Sequence, residues 1–307
     1  MKIIGVVGPT ASGKTALALR LARALDGELV GVDASQIYRG MSIGTGKATP
    51  DELGDVVHHL IDIVEPDHRF DAAQYVDYAD AAIQAVIRRG HQPILVGGTG
   101  LYLRTLIWGI CEAPPIGDAV RDSLRQRIND GKLGALHQQL RIVDPQAAGR
   151  IHPNDAQRIE RALGVYLSTG RPLTDWQTEH GFAMPRYQHI LVGLDWPRAT
   201  LEARIHRRID SMLTAGWMDE VRTLLEAGYH DGLPSMKALG YAVLAEVIQG
   251  RLSLDEGRDR IFRSTRKYAK RQMTWFKSMP SIRWFSGEVD VAAVIDYVCA
   301  AQAKEDA

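Results

Sequence analysis

The stretch that decides the fold is Gly8-Pro9-Thr10-Ala11-Ser12-Gly13-Lys14-Thr15, which fits the pattern G-x-x-x-x-G-K-[ST]. It follows an apolar run at residues 2–7, typical of a buried strand, and opens residues 14–25, whose apolar positions recur at helical spacing. In this context the glycines let backbone N–H groups surround phosphate oxygens, and Lys14 adds a positive charge. The pattern predicts a diphosphate or triphosphate site made by all eight residues, with the Thr15 hydroxyl placed to hold Mg²⁺.

Around this loop, strands and helices alternate along the chain. Apolar runs at residues 28–32 and 93–96 predict two further strands, and residues 72–89 predict a helix between them. Alternation of this kind is typical of a parallel sheet with right-handed crossovers. We therefore expect an α/β fold, with a doubly wound parallel sheet of the P-loop NTPase type as its core.

The middle of the chain has a different pattern, because only helical periods occur between about residues 116 and 185. The elements predicted in the rest of the chain are helices at 118–130, 132–141, 155–168, 198–215, 217–227, 238–249 and 255–277, and strands at 188–194 and 281–285. We expect a discontinuous core domain, residues 1–115 and 186–307, with an all-helical insertion domain at residues 116–185.

Composition excludes several classes of protein. The 307 residues are 45% hydrophobic and 24% charged, which is ordinary for a globular chain and rules out a disordered or fibrous one. The 37 basic and 37 acidic side chains cancel, so net charge alone indicates neither a nucleic-acid nor a membrane partner. Two cysteines give no disulfide framework, and no apolar run approaches the ~20 residues that span a bilayer. We expect a cytoplasmic protein with no membrane partner.

Asp33 follows the second predicted strand, at the sheet edge where ligands of doubly wound folds bind. Its carboxylate can accept a hydrogen bond or a proton from a nucleophile. The alternative is a structural role, in which Asp33 caps a turn. Motor and switch ATPases usually carry an acidic residue at the end of another core strand, near Mg²⁺. The strand predicted at residues 93–96 is followed by Gly97-Gly98-Thr99, without a carboxylate, which disfavours these two classes of ATPase.

Six blocks of sequence, in order, resemble the tRNA dimethylallyltransferase (tRNA isopentenyltransferase) family in its bacterial form. They are the Gly8–Thr15 loop; Asp33-Ala34-Ser35-Gln36-Ile37-Tyr38-Arg39-Gly40-Met41 with Ile43-Gly44-Thr45; Val96-Gly97-Gly98-Thr99-Gly100-Leu101-Tyr102; His152-Pro153-Asn154-Asp155 with Arg158 and Arg161; Gly240-Tyr241; and Lys270-Arg271-Gln272-Met273-Thr274-Trp275-Phe276. The resemblance implies transfer of a dimethylallyl group from dimethylallyl diphosphate to N6 of adenosine 37, next to the anticodon of a tRNA. It also implies Mg²⁺ as cofactor and a P-loop core with a helical insertion, and we expect a monomer.

The resemblance also implies roles for individual residues. Asp33 is the expected base for the adenine amine, with Thr10 nearby, and Arg208 is the expected second clamp on the diphosphate, although Arg207 beside it leaves that assignment open. The expected tRNA contacts are Asp33, Ala34, Ser35, Gln36, Thr99, Arg121, Gln157, Arg158, Ile159, Glu160, Arg161, Lys270, Arg271, Gln272, Met273, Thr274, Trp275, Phe276 and Lys277. For Gln157, Arg158 and Arg161 the residues alone favour an exposed polar helix face, with the two arginines paired around Glu160.

Residues 258–277 predict an amphipathic helix with a basic stripe, because they hold eight basic side chains and one acidic one. Such a helix can lie on a membrane or face solvent, and here we expect it to meet tRNA phosphates. Trp275 is either a core residue or a stacking platform for a base, and the core is the favoured interpretation.

Three other functions use the same features. A small-molecule kinase of the P-loop class needs the loop but not the basic helix. A prenyltransferase acting on free adenine nucleotides needs the loop and Asp33 but no tRNA contacts. A non-catalytic RNA-binding protein needs only the basic surfaces.

Overall fold

A computed structural model of the chain describes residues 1–182, 184–279 and 281–303. The strands within that part of the chain are β1 (Ile3–Val7), β2 (Gly27–Val32), β3 (His58–His59), β4 (Gln92–Gly97), β5 (His189–Asp195) and β6 (Ile282–Ser286). Five of them were predicted from the sequence and are confirmed to within one or two residues. The two-residue strand β3 was not predicted, because so short an element has no periodicity to read.

Helices surround these strands. They are α1 (Lys14–Ala24), α2 (Pro50–Leu53), α3 (Ala72–Arg88), α4 (Gly100–Trp108), α5 (Asp118–Asn129), α6 (Leu133–Val143), α7 (Pro145–Arg150), α8 (Ala156–Thr169), α9 (Leu173–His180), α10 (Arg198–Thr214), α11 (Trp217–Glu226), α12 (Tyr241–Ile248), α13 (Leu254–Lys277) and α14 (Val291–Ala303), with a 3₁₀ turn at Ser235–Lys237. None of these helices, within the described residues, is long and apolar enough to cross a membrane.

The strands form one parallel sheet in the order β3-β2-β4-β1-β5-β6. The chain leaves β1 toward one side of the sheet and later returns to the other side, so the strand order reverses at β1. Ligands of open α/β sheets bind outside the carboxyl ends of the strands at such a reversal. The loops that follow β1, β2, β4 and β5 all lie at this edge. The predicted doubly wound α/β fold is confirmed.

The chain divides into two compact units. The first is Met1–Ile107 with Arg186–Ala307, and the second is Trp108–Pro185. In the first unit, one apolar cluster packs α1 and α14 against the sheet, and another joins residues 37–41 to helices α10 to α13.

The second unit contains α5 to α9 and has a core of its own, including Leu124, Leu136 and Leu163. It begins earlier than the expected boundary at residue 116. The physical reason lies in the segment before α5: both terminal nitrogens of Arg161, on α8, donate to main-chain oxygens there, at Pro114 (3.3 Å) and Ala113 (3.2 Å).

Candidate functional site

The loop after β1 ends at an open helix terminus. Gly13 is the N-cap of α1 and has a φ of 91°, a conformation that favours glycine. Among the described residues no side chain caps the first amides of α1. The helix therefore presents free N–H groups and the positive end of its dipole, which together bind anions such as phosphate.

Two residues hold the back of this loop. The indole Nε1 of Trp196, just after β5, donates to the carbonyl oxygen of Ser12 at 2.8 Å. The Nε of Arg204, on α10, donates to the carbonyl oxygen of Ala11 at 2.7 Å, and its guanidinium stacks 4.4 Å from the Trp196 ring. Because these two carbonyl oxygens are hydrogen-bonded on the outer side of the loop, the N–H groups of the loop are left to point toward its inner side. The sequence analysis missed both residues; the position of Trp196 at the carboxyl end of a strand was the available signal.

Lys14 and Arg208 bring two half-buried positive charges together. Burial, and next the charge of Arg208, lower the pKa of Lys14 to about 8, while Asp33 acts in the opposite direction. Burial also lowers the pKa of Arg208, and the negative charge of Asp33 again acts in the opposite direction. Because each cation disfavours the charge of its neighbour, a polyanion between them stabilises both.

Arg208 is fixed by the loop that follows β2. Its guanidinium donates to the carbonyl oxygen of Thr45 at 3.4 Å, and a side-chain carbon at Gly46 would lie 2.0 Å from it. Only a glycine at position 46 lets the guanidinium come this close. Arg207, by contrast, is exposed. The structure thus places Arg208, and not Arg207, beside Lys14.

Asp33 caps a turn and also lines a cleft. One carboxylate oxygen, Oδ1, caps the following turn by accepting from the amides of Ser35 at 2.9 Å and Gln36 at 3.4 Å. The side chain is half-buried and lines the same cleft as Thr10. Capping orients the carboxylate, so a structural role for Oδ1 is compatible with a chemical role for Oδ2.

One cleft contains all three expected catalytic residues. It has a volume of about 470 Å³, within the range of small-molecule sites, and Thr10, Asp33 and Arg208 line it. Lys14 and Thr15 line it too, and they also line a second cavity of about 320 Å³. Ala34, Ser35 and Gln36, which follow Asp33 in the chain, also line the cleft. The cleft therefore joins an anion-binding end to a carboxylate end.

Helix α13 forms one wall of the cleft through Tyr268, Arg271 and Gln272. Burial raises the pKa of Tyr268, and its side-chain hydrogen bonds with Thr99 and Gln272 act against that shift. Thr99 accepts from the amide of Ala34 at 3.0 Å, beside Asp33. The sequence analysis did not single out Tyr268, although it lies one helical turn before Gln272 on the same face.

The expected tRNA contacts on α13 divide into two groups. Lys270, Arg271, Thr274 and Lys277 are exposed. Phe276 is a core residue with 1% of its surface exposed, Gln272 is buried, and Trp275 packs on Gly100, where a side-chain carbon would lie 2.2 Å from the indole. The expectation of direct RNA contact is corrected for Phe276, whose side chain is in the core. It is also corrected for Gln272, whose side-chain amide at the wall of the cleft is bonded to two main-chain groups of the protein.

The basic stripe on α13 is also less charged than its sequence indicates. Four of its cations form ion pairs with acids from other elements: Arg258 with Asp210, Arg260 with Glu246, Arg266 with Glu202 and Lys277 with Asp195. A charge count over one segment omits such partners. The remaining cations, Arg263, Lys267, Lys270 and Arg271, are exposed, and Arg271 lines the cleft.

In the second unit, two of the expected tRNA-contact residues, Gln157 and Arg158, are exposed, whereas Ile159 is fully buried and is corrected to a core role. The expected pairing of arginines around Glu160 is wrong, because Glu160 pairs with Arg125 of α5 at 3.2 Å. Arg158 instead pairs with Asp155. Arg121 donates to Asp118 at 3.0 Å and to the carbonyl oxygen of Ile116 at 3.1 Å.

The donor set near the loop fits a magnesium ion better than a transition metal. No group of three or more His, Cys, Asp or Glu residues able to hold a metal occurs in the described part of the chain. Thr15 lines the cleft beside Lys14. Mg²⁺ is commonly held by few protein oxygens together with substrate phosphates and water, so a single hydroxyl fits this mode of binding.

Known proteins resemble this chain over nearly its whole length. The model of the IPP transferase family matches residues 36–279. The tRNA dimethylallyltransferase 1 of Pelobacter propionicus is 47% identical over 299 residues, covering 97% of both chains, and the tRNA dimethylallyltransferase of Geobacter sulfurreducens is 47% identical over 92% of this chain and 91% of its own.

Solved structures agree with these relatives. The tRNA isopentenylpyrophosphate transferase of Bacillus halodurans has a TM-score of 0.73 at 37% identity, covering 97% of this chain and 96% of its own. A eukaryotic dimethylallyltransferase acting on tRNA has a TM-score of 0.81 at 25% identity, covering 95% of this chain and 75% of its own.

Proposed function

Because the chain belongs to the IPP transferase family and its relatives are named tRNA dimethylallyltransferases, we propose that it prenylates adenosine 37 of tRNAs. In the proposed reaction, the dimethylallyl group passes from dimethylallyl diphosphate to N6 of the adenine next to the anticodon, and diphosphate leaves. One observation carries the proposal. Lys14 and Arg208, which suit a diphosphate, line the same cleft as Asp33 and Thr10, which suit a nucleophile.

The diphosphate end of the cleft stabilises the leaving group. Cleavage of the bond between carbon 1 of the allyl group and the bridging oxygen puts negative charge on the diphosphate. The amides at the start of α1, Lys14 and Arg208 are fixed donors before the reaction begins, so they stabilise this charge without reorganising. A P-loop serves this chemistry without a nucleotide, because the anion is a diphosphate.

The carboxylate end activates the adenine amine, whose lone pair is delocalised into the ring. As the bond between N6 and carbon 1 forms, the electron pair of the broken carbon–oxygen bond goes to diphosphate and one N6 proton goes to Asp33. Oδ1 of Asp33 is occupied by the turn amides, so the other oxygen receives the proton. The adenine must leave its stack to enter the cleft, which the single-stranded anticodon loop favours.

We also propose which residues hold Mg²⁺ and which contact the tRNA. Mg²⁺ would be held by the Thr15 hydroxyl and would neutralise charge on the bound diphosphate. The exposed group Lys267, Lys270 and Arg271 and the exposed Gln157 and Arg158 would contact the anticodon stem-loop. With tRNA as its substrate, we propose that the protein acts in the cytoplasm, and as a monomer.

Incubation of unmodified tRNA transcripts with dimethylallyl diphosphate and Mg²⁺, followed by mass spectrometry of the nucleosides, tests this function. We expect one dimethylallyl group on the adenosine at position 37, and none on a matched transcript with guanosine at that position. Parallel reactions offer AMP as acceptor, or ATP with small acceptors. Prenylation of AMP but not of tRNA, or ATP turnover without prenyl transfer, would contradict the proposal and favour one of the two enzymatic alternatives.

A further inference from the structure

The side-chain amide of Gln272 joins three segments of the site. Its Oε1 accepts from the backbone amide of Thr10 at 2.8 Å, and its Nε2 donates to the carbonyl oxygen of Gly98 at 2.9 Å. Gln272 lies on α13, Thr10 in the loop after β1, and Gly98 in the loop after β4. Because one partner is a donor and the other an acceptor, the orientation of the Gln272 amide is determined.

The close approach of these groups is built into the chain. A side-chain carbon at Gly98 would lie 2.1 Å from the Gln272 nitrogen, so any residue other than glycine would displace the amide. On the same face of α13, Tyr268 lies beside Gln272 and Thr99. Thr99 in turn accepts from the amide of Ala34. One face of α13 is therefore connected to both Thr10 and the segment that begins at Asp33.

The hydrogen bond to Gln272 decides which amides of the P-loop are free to bind the diphosphate. The Thr10 amide points to α13 and not into the loop, so the amides that cradle the diphosphate belong to later residues of the loop and to the start of α1. The position of Thr10 in the cleft then depends on α13. The exposed side of the same turn of α13 carries Lys270, Arg271 and Thr274, which the proposed function assigns to tRNA.

We propose that Gln272 is a positioning residue for prenyl transfer, which holds Thr10 and the P-loop in their catalytic arrangement and links them to the tRNA-facing helix. The inference rests on the proposed function. It differs from the expected role of Gln272 as a direct tRNA contact, because a buried amide that holds the loop affects the rate of transfer and not the affinity for tRNA.

The first test compares Gln272→Met with Gln92→Met. Gln92 is a matched control: both glutamines are 6% exposed, and Gln92 also bonds two main-chain groups, the carbonyl oxygens of Lys2 at 2.8 Å and Pro93 at 3.0 Å, on β4 at the opposite edge of the sheet. We expect kcat of Gln272→Met to fall about 10- to 100-fold, as for partners that orient reacting groups, with the tRNA dissociation constant changed less than about twofold. Gln92→Met should lower the melting temperature similarly and keep kcat.

The second test uses Gln272→Glu and pH. A neutral carboxylic acid at this position reproduces both hydrogen bonds, because its O–H donates to Gly98 and its C=O accepts from Thr10. A carboxylate instead faces the Gly98 carbonyl oxygen and repels it. We expect the ratio of mutant to wild-type kcat to rise as the pH falls, and this rescue does not depend on how stable Gln272→Met proves to be. A ratio that is constant with pH would overturn the inference.

Other outcomes are equally decisive. Loss of tRNA affinity at unchanged kcat would restore Gln272 to a direct contact role, and equal kcat losses in Gln272→Met and Gln92→Met would reduce it to a stabilising residue. Failure of the proposed function is distinguishable, because the wild-type enzyme would then transfer no dimethylallyl group to tRNA under any of these conditions.

Discussion

The Nε of Arg204 donates a hydrogen bond of 2.7 Å to the carbonyl oxygen of Ala11, a residue held at a φ of +64°. That backbone conformation is uncommon for a residue with a side chain and costs of order 1–3 kcal/mol. A strained peptide persists only where its surroundings fix it. Arg204, stacked on Trp196, is one of the groups that fixes it.

Replacing this arginine therefore relaxes the loop. For Arg204→Gln we expect affinity for dimethylallyl diphosphate to fall about 10-fold, since the amides at the start of α1 lose their preset direction. Isothermal titration with the non-reacting product, inorganic diphosphate, measures the effect. Arg198→Gln is the control, because Arg198 lies on the same helix and pairs with Glu202 at 2.8 Å. Equal affinities in the two variants would contradict the prediction.

The second prediction separates the two neighbouring arginines of α10. Arg208 lines the same cleft as Lys14, whereas Arg207 is exposed. Arg208→Gln should lower kcat/KM for dimethylallyl diphosphate about 100-fold or more, as expected for loss of a donor to developing charge. Arg207→Gln should stay within about twofold of wild type. Steady-state kinetics at saturating tRNA gives both values, and a larger loss in Arg207→Gln would reverse the assignment.

The third prediction concerns pH. Lys14 has a pKa of about 8 without a bound anion, and diphosphate favours its charged form, so binding raises that pKa. Lysine is already protonated below pH 8, so affinity is independent of pH there once the terminal phosphate, with a pKa of about 6, has ionised. Above pH 8 binding takes up a proton, and the association constant should fall up to tenfold per pH unit.

Titration of dimethylallyl diphosphate into the enzyme across this interval checks the slope. Lys14→Met removes the titrating group, so its weaker affinity should not change between about pH 7 and 9. A wild-type affinity that stays constant up to about pH 10 would show that Lys14 is not buried at the anion.

The fourth prediction concerns Asp33. Asp33→Asn keeps an oxygen for the turn amides of Ser35 and Gln36 but removes the basic oxygen. We expect kcat to fall about 10²- to 10⁴-fold, the contribution typical of general acid–base catalysis, with tRNA affinity nearly unchanged. Single-turnover prenylation and filter binding of tRNA separate the two effects. Normal turnover would exclude Asp33 as the base.

The last prediction concerns the exposed cations of α13. Lys270→Gln should reduce the slope of log K for tRNA against log salt by about 1, since one phosphate contact is lost. Arg260 lies on the same helix but pairs with Glu246 at 2.7 Å, so Arg260→Gln should leave the slope nearly unchanged. Binding titrations at several salt concentrations compare the two. Identical slopes in wild type and Lys270→Gln would place the RNA elsewhere.

Much of this protein followed from local sequence. The sheet was predicted from the strand, glycine loop and helix pattern at residues 2–25 and from the apolar runs of β2, β4, β5 and β6. Such predictions succeed because hydrophobic periodicity and the glycine and proline residues that end an element are local properties of the sequence. Asp33 could be placed at the site because the carboxyl ends of parallel strands share one edge. Helices α4 and α14 were missed, because apolar residues lie on most of their sides and leave no clear helical period.

Other features were decided only by tertiary structure. Only the tertiary structure distinguished Arg208 from Arg207. It also showed that Arg204 and Trp196 hydrogen-bond to the loop and that Gln272 hydrogen-bonds to Thr10. Each of these contacts joins residues far apart in the chain, so no local sequence pattern records it. The charge of α13 was overestimated for the same reason, because its ion-pair partners lie on other elements. Sequence determined which chemical groups this protein has and at which sheet edge they gather; packing across distant segments decided which of them face the cleft.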